Sequence, residues 1–340
     1  MRLRHTVVTA SSLLAFVALV GDAGCSDSNS GSEGTRDAGE DAPPVIIPLP
    51  DGAPLPPPDG STYPCDLGKP FGAPALVPKV NTPGTEFGTL SHDELTIYTS
   101  VKGVDWFHIY SATRLTPKDD FGVFRRVPNV NNGTTNGDYE PHVSADGLEL
   151  YLSSDRGGSG STGQSDLFVA TRTTTLTDFG SAVPVANVNT EKLERAPALV
   201  SDKSALYFAS DGYGGPSGGL IVKAIRSGGA YTSPQTVPLG TTTGDGSPVP
   251  SGDDRILFFG SGRNGARGGS DIWFATRAKA SDVFDDPTNA RDVAALNGAW
   301  NDRPTWLSPD GCRLYLESDR PVPADAGLSE WNLYVATRPR

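Results

Sequence analysis

The sequence has little of what builds metal centres and nucleic-acid sites. Its 340 residues contain only four histidines and three cysteines. The histidines are His5, His92, His108 and His142, and none has a second ligand at a metal-site spacing. Acidic residues outnumber basic ones, 40 against 28, giving a formal net charge of −12. This excess argues against nucleic acid and anionic lipid surfaces as partners for the body of the protein. We expect neither a metal nor a cofactor.

Long amphipathic helical patterns are also missing, and there is only one long apolar run. It spans Val7–Val20, follows Arg2 and Arg4, and is too short to cross a membrane. A charged start followed by a short apolar run is typical of a secretory signal. We therefore predict a signal peptide at residues 1–24.

The segment after the signal predicts a membrane anchor on a tether. Ala23-Gly24-Cys25 resembles the end of a bacterial lipobox, in which the cysteine is lipidated and begins the mature chain. Asp22 departs from that pattern, so ordinary cleavage that leaves a free Cys25 stays open. Residues 25–66 are rich in Ser, Gly and Pro and cannot bury enough apolar surface to fold. We predict an exported lipoprotein of the cell envelope, with the outer membrane as its expected location.

Beyond residue 67 the chain repeats itself five times. The phrase "SADGLELYLSSDR" at residues 144–156 returns as "SPDGCRLYLESDR" at residues 308–320. Three markers recur in phase: a central aromatic, a closing Ala-Thr-Arg or Ala-Ile-Arg tripeptide, and an aromatic that opens a run with Val or Pro. The central aromatics are Tyr98, Tyr151, Tyr207, Phe258 and Tyr315. Each period contains an Asp-Gly-type turn and short alternating segments, which predicts four short strands.

Four-stranded repeats of this length are typical of β-propeller blades. We predict an all-β fold, a five-bladed β-propeller over residues 67–340 with four-stranded antiparallel blades. The blades are expected at about 85–128, 138–186, 194–238, 245–294 and 301–340.

The order of the markers predicts how the ring closes. One outer-strand marker precedes the first blade, whereas the last blade ends without one. We therefore predict that Phe71–Val80 completes the last blade, so that no sheet edge stays unpaired. Cys65 precedes this strand and Cys312 lies beside a turn of the last blade. Because an exported chain meets an oxidising compartment, we predict that the two form a disulfide.

The repeated phrase resembles the Pro-Asp variant of the WD-type propeller repeat, as in TolB-like periplasmic proteins. The matching residues in the second unit are Glu140-Pro141, Asp146-Gly147, Tyr151 and Ser154-Asp155-Arg156, and those in residues 308–320 match again. The resemblance covers residues 71–340 and implies the fold. It implies little about function, because propellers host many unrelated activities.

We expect a non-catalytic, TolB-like envelope lipoprotein that acts as a protein-binding or scaffold module, with an envelope protein or a glycan as partner. A lectin-like carbohydrate binder is the alternative, and a five-bladed glycoside hydrolase is less favoured. The hydrolase would need a pair of acids in the channel. Its candidates are Glu86, Asp138, Glu140 and Glu194. They recur at about the same blade position, as structural residues would, so no catalytic residue is assigned.

One face of a propeller carries both the loops from second to third strands and the links between blades. These segments vary in length here, and variable loops on a rigid scaffold usually carry function. The binding candidates of this face are Glu140, His142, Arg156, Tyr213, Arg263, Arg267, Trp300, Arg303 and Trp306. A solvated rim is the alternative for each of them, and a structural role is open for the arginine of Ser-Asp-Arg.

Overall fold

A computed structural model describes most of the chain from Cys65 to Arg340. The described residues are 65–340 without 83, 105, 132–135, 158–162, 215–218, 233, 241–243, 286–290, 294 and 323–330. The predicted signal peptide, Cys25 and the tether up to residue 64 lie outside them. The described part of the chain forms strands and no helix. It accordingly contains no helix with the length and apolar character needed to span a membrane.

The strands form five antiparallel sheets, each with a first, second, third and outer strand. The first strands are β2 (Thr85–Leu90), β6 (Asp138–Val143), β10 (Glu194–Leu199), β15 (Asp245–Pro250) and β19 (Asp302–Leu307). The second strands are β3 (Thr96–Lys102), β7 (Glu149–Ser154), β11 (Ala205–Ser210), β16 (Ile256–Ser261) and β20 (Arg313–Ser318). The third strands are β4 (Phe107–Thr113), β8 (Asp166–Thr171), β12 (Leu220–Ser227), β17 (Asp271–Thr276) and β21 (Asn332–Thr337). The outer strands are β1 (Ala75–Leu76), β5 (Arg125–Arg126), β9 (Val183–Pro184), β13 (Ala230–Tyr231) with β14 (Gln235–Thr236), and β18 (Arg291–Asp292).

The five sheets are the blades of a β-propeller, as the repeat predicts. Each first strand packs against the first strands of the two neighbouring blades, so these strands form a ring around a central channel. Apolar side chains fill the space between blades: Leu150 of the second blade, for example, packs with Tyr98 of the first. The core therefore lies between neighbouring sheets.

Two of the sequence markers, the closing arginine and the aromatic of the outer-strand segment, contact each other in the structure. The arginine that closes each repeat stacks on the aromatic that opens the outer-strand segment, as Arg114 does on Phe121 at 4.3 Å and Arg172 on Phe179 at 4.2 Å. In the last blade Arg338 stacks on Phe71 at 4.2 Å. Phe71 is thus the aromatic marker of the fifth blade, although it lies more than 260 residues earlier in the chain.

The N-terminal segment closes the ring. Ala75 pairs with Val335 and Leu76 with Tyr334. The strand is shorter than the predicted Phe71–Val80, because the flanking segment bonds to the last blade only at single positions, such as Gly72 N to Thr337 O at 2.9 Å. The predicted disulfide between Cys65 and Cys312 is present, with Cα atoms 5.8 Å apart.

Strand direction gives the ring two different faces. The loops between second and third strands and the links between blades share one face, here called the link face. For example, Glu194, at the start of β10, donates its backbone N–H to Ser165 O of the preceding blade's loop. The turns between first and second strands lie on the opposite, turn face. Each first strand therefore runs from the link face to the turn face.

Candidate functional site

The first residue of each first strand is structural. Asp138, Glu194, Asp245 and Asp302 occupy this position in four blades and are at most 1 % exposed. Arg263 Nη2 donates to Asp245 at 2.7 Å and Arg320 Nη2 donates to Asp302 at 2.5 Å. These repeated pairs neutralise the buried carboxylates, as burial of a charge requires.

The same arginines tie each blade to the preceding link. Arg156, which pairs with Asp138, also donates to Val130 O at 2.9 Å. Arg263 donates to Leu239 O and Arg320 donates to Leu296 O. We call these three pairs the Asp–Arg clamps (Asp138–Arg156, Asp245–Arg263 and Asp302–Arg320). The third blade has Glu194 held by Ser210 Oγ at 2.6 Å instead.

The second and third residues of the first strands differ from blade to blade. In blade order they are Glu86-Phe87, Tyr139-Glu140, Arg195-Ala196, Gly246-Ser247 and Arg303-Pro304. A register shift follows in every first strand. The third residue has a positive φ of 47–51° in all blades except the one with proline. Such a bulge adds a residue to one strand and bends it. All of these residues except Pro304 line the channel at its link-face end.

This end of the channel is called the mouth, and its first recess has a volume of about 190 Å³. Carboxylates from three blades line it: Glu86, Glu140 and Glu317. Arg195 and Arg303 line it as well, together with Phe87, Ser100, Tyr139, Ser153 and Ser165. The mouth thus carries charges of both signs close together.

Backbone N–H groups of the bulges hold two of these carboxylates. Phe87 N donates to Glu317 Oε2 at 3.1 Å. Ala196 N donates to Glu140 Oε2 at 2.7 Å, and Ser153 Oγ donates to the same oxygen at 2.6 Å. The bulges therefore fix where the negative charges stand.

Burial changes the acidity of the mouth. Loss of water raises the pKa of Glu317 to about 7, with Glu86 and Glu140 raising it further and Arg303 opposing. Burial also raises the pKa of Glu86, to which Glu140 contributes. The Glu317 carboxyl is consequently about half protonated near neutral pH.

A second recess of about 290 Å³ adjoins the first. Its wall comes from the third and fourth blades and contains Asp245, whose carboxylate is paired with Arg263. The rest of this wall consists of small residues: Gly244, Gly246, Gly260, Gly262, Gly269, Ala196, Ser247 and Ser270. Glu140, Arg195 and Arg303 line both recesses. The two recesses therefore differ: three glutamates line the first, and mainly small residues line the second.

Aromatic side chains stand around the mouth on the side of the carboxylates. The Arg303 guanidinium stacks 4.4 Å from the ring centre of Trp331. Phe107 packs against Tyr139 with ring centres 5.3 Å apart. Trp300, in the link before the last blade, is 39 % exposed.

The predicted binding residues fall into separate places. Glu140 and Arg303 meet at the mouth, and Trp300 and the exposed Arg267 lie on the link face. Arg156 and Arg263 belong to the Asp–Arg clamps. Tyr213 packs on Phe208 and donates its hydroxyl to Val188 O at 2.9 Å.

His142 and Trp306 lie at the other end of the channel. They line a narrow recess of about 50 Å³ with Leu90, Val143 and Leu199. Leu199 N donates to His142 Nε2 at 3.1 Å. Loss of water lowers the pKa of His142 to about 4. This turn-face end is apolar where the mouth is charged.

Sequence reasoning missed Glu317, Arg195 and Tyr139. The repeated phrase contained a signal for Glu317: the second blade reads "LYLSSDR" where the last reads "LYLESDR", so Glu317 replaces Ser153. The sequence groups Asp138 and Glu194 with Glu86 and Glu140 as candidate acids. In the structure Asp138 and Glu194 are buried in the wall, whereas Glu86 and Glu140 line the channel.

No cluster of three or more histidine, cysteine or acidic side chains that fits a metal ion occurs among the described residues.

No family model and no curated protein matches this chain. Solved structures of similar shape include an α-L-arabinofuranosidase from Podospora anserina in complex with cellotriose, at 11 % identity and a TM-score of 0.49, covering 79 % of this chain and 96 % of that one. TolB from Acinetobacter baumannii matches at 13 % identity and a TM-score of 0.41, covering 79 % and 55 %. A gluconolactonase from Xanthomonas campestris matches at 12 % identity and a TM-score of 0.39, covering 75 % and 72 %. These likenesses carry no function over to this chain.

Proposed function

We propose that this propeller is a non-catalytic binding module of the bacterial cell envelope whose ligand enters the channel mouth. One observation carries the proposal. Every blade has its own pair of residues at the second and third positions of the first strand, while the first position repeats a buried acid in four blades. A position that only supports the fold is expected to carry the same kind of residue in every blade, whereas a binding site needs different groups in fixed places.

The carboxylates favour binding over catalysis. Glu140 and Glu317 each accept hydrogen bonds from backbone N–H groups of their own chain. These bonds hold one oxygen of each carboxylate in a fixed place. A fixed charge suits recognition of a complementary group.

The position of the mouth suits an anchored protein. The described chain begins at Cys65, which is bonded to Cys312 in a turn on the turn face. The mouth opens on the link face. The chain therefore enters the ring, at Cys65, on the face opposite the mouth. The expected partner is an envelope protein or a glycan.

The test fills the second recess. A Cβ on Gly246 would meet nothing closer than Ala209 Cβ at 4.0 Å, so Gly246→Leu should place its side chain in open space. Gly157, on a loop of the link face, has nothing within 4 Å of an added Cβ, and Gly157→Leu is the matched control. Full-length protein is used to capture partners from detergent-solubilised envelopes. Wild type and Gly157→Leu should capture the same partner, and Gly246→Leu should lose it; equal capture by all three would refute a site at the mouth.

A glycoside hydrolase is the second candidate, and Glu317 is the observation that favours it. A carboxyl with a pKa of about 7 beside two other carboxylates has the protonation that a general acid needs at neutral pH. Turnover of arabinan or sialoside substrates by the wild type, lost in both Glu317→Gln and Glu140→Gln, would establish this activity. Absence of turnover with all of these substrates would argue against the hydrolase and in favour of the binding module.

A further inference from the structure

The two recesses of the mouth form one cavity with two chemical halves. Glu140, Arg195 and Arg303 line both recesses, so the recesses are continuous. The first half, of about 190 Å³, contains the three glutamates, and the second, of about 290 Å³, is lined mainly by glycines and small side chains, with Asp245 held by Arg263. Together they have room for a molecule the size of an amino acid or a short peptide.

Gly246 and Gly260 of the second half leave the cavity open where a side chain would fill it. Neither Gly246 nor Gly260 is among the residues with positive φ, so the backbone itself does not demand glycine at these positions. A Cβ on Gly260 would approach Ser270 Oγ to 3.3 Å and Arg303 Cγ to 3.5 Å. Larger residues here would therefore fill the cavity beside Arg303.

In the first half, the Glu86 carboxyl forms no hydrogen bond or ion pair with any described residue, although it lines the recess and is partly buried. Burial raises the pKa of Glu86 and Glu140 adds to this, although Arg303 and Lys102 oppose it. A cation at this carboxyl would replace the lost water and offset the repulsion. The first half therefore fits a positively charged group.

In the second half, Arg195 and Arg303 stand at the border of a space lined mainly by glycines and small side chains. Guanidinium groups bind carboxylates through paired hydrogen bonds. The open backbone lets a carboxylate approach both arginines. This half therefore fits a negatively charged group, and a ligand that carries both charges can contact the glutamates and the arginines at the same time.

We infer that the mouth binds a small zwitterion of the amino-acid type. Its amino group lies against Glu86 and the neighbouring carboxylates, and its carboxylate lies between Arg195 and Arg303 over the glycines. The inference rests on the proposed function and names the chemistry of the ligand, a free amino acid or a short peptide that enters with both of its termini.

Calorimetric titration of the full-length protein near neutral pH and at low salt tests this. The probes are glycine, β-alanine, γ-aminobutyrate, δ-aminovalerate and ε-aminocaproate, which separate the two charges by increasing lengths. Butylamine and butyrate are the controls with one charge. At least one zwitterion should bind about tenfold or more tightly than both controls, a difference of about 1.4 kcal/mol, and its affinity should fall with added salt.

Variants connect the binding to the two halves. Glu86→Gln and Arg195→Gln should each weaken the best zwitterion about tenfold, Gly246→Leu should abolish binding, and Gly157→Leu should leave it unchanged. Unfolding curves of each variant verify that it is folded, and the two polar variants decide the question if Gly246→Leu does not fold. The inference is wrong if no zwitterion binds or if the single-charge controls bind equally well. If no zwitterion binds selectively but Gly246→Leu still blocks capture of the envelope partner, the proposed function stands without this inference.

Discussion

The two ends of the channel are built from the same five strands and have opposite chemistry. The mouth has three carboxylates, two arginines and recesses of about 190 and 290 Å³. The turn-face end places His142 among Leu90, Leu199 and Trp306 around about 50 Å³. The bulge near the start of each first strand makes the difference, because it frees backbone N–H groups to hold charges at one end only.

The ends are also fastened differently. A disulfide joins Cys65 to Cys312 on the turn face, whereas the Asp–Arg clamps hold the link face. His142 and Glu317 further oppose each other in their response to pH. Each of these differences can be tested separately.

Removal of the disulfide should have the largest effect. The bond closes a loop with a sequence separation of 247 residues, and long closed loops give disulfides their greatest effect on the unfolded chain. The Cys65→Ser, Cys312→Ser double variant should lose about 4 kcal/mol of unfolding free energy in urea. Wild type with reductant is the control and should behave like the variant; a loss below about 1 kcal/mol in both would show that the closing strand holds the ring by itself.

The Asp–Arg clamps should come next. Arg320→Ala leaves the buried Asp302 without its cation and should cost about 3 kcal/mol. Arg303→Ala is the comparison at the mouth. It should cost about 1 kcal/mol or less, because Glu317 can take up a proton when its partner Arg303 is removed. Equal losses in urea unfolding would mean that the mouth is as structural as the clamps.

Glu317→Gln should change the pH dependence at the mouth. The pKa of Glu317 rises from 4.5 unfolded to about 7 folded, so the folded state binds the proton more tightly and its stability falls as pH rises from about 4.5 to about 7. The glutamine removes this fall, and the variant should be about 2 kcal/mol more stable than wild type near pH 8. Urea unfolding at several pH values measures it, and an unchanged slope would contradict the assignment.

His142→Gln should produce the opposite and smaller change at the turn face. The pKa of His142 falls from 6.5 unfolded to about 4 folded, so stability is lost as pH falls from about 6.5 to about 4. The glutamine should remove about 1 kcal/mol of this acid-side loss, a value reduced because a minor part of the residue is exposed to solvent. With both substitutions, the two slopes should disappear together; a double variant that keeps either slope would assign it to another group.

The sequence by itself determined the ring, its closure and the disulfide. Repeats in phase fix the number of blades, and the misplaced marker at Phe71 fixes which strand completes the last one. These features follow from local patterns, because each blade is built from neighbouring residues and repeats of the same pattern fold the same way.

Only the tertiary structure decided which acids line the channel mouth. Strict alternation lets every second residue of a strand face the channel, so the sequence gives Asp138 and Glu140 the same direction. The bulge breaks that alternation: Asp138 is buried in the wall with Arg156, and the adjacent Tyr139 and Glu140 both line the recess. Glu317 and Arg195 line the same recess from other blades. The curvature of the ring brings residues more than 100 positions apart into one cavity, and no local pattern encodes this curvature.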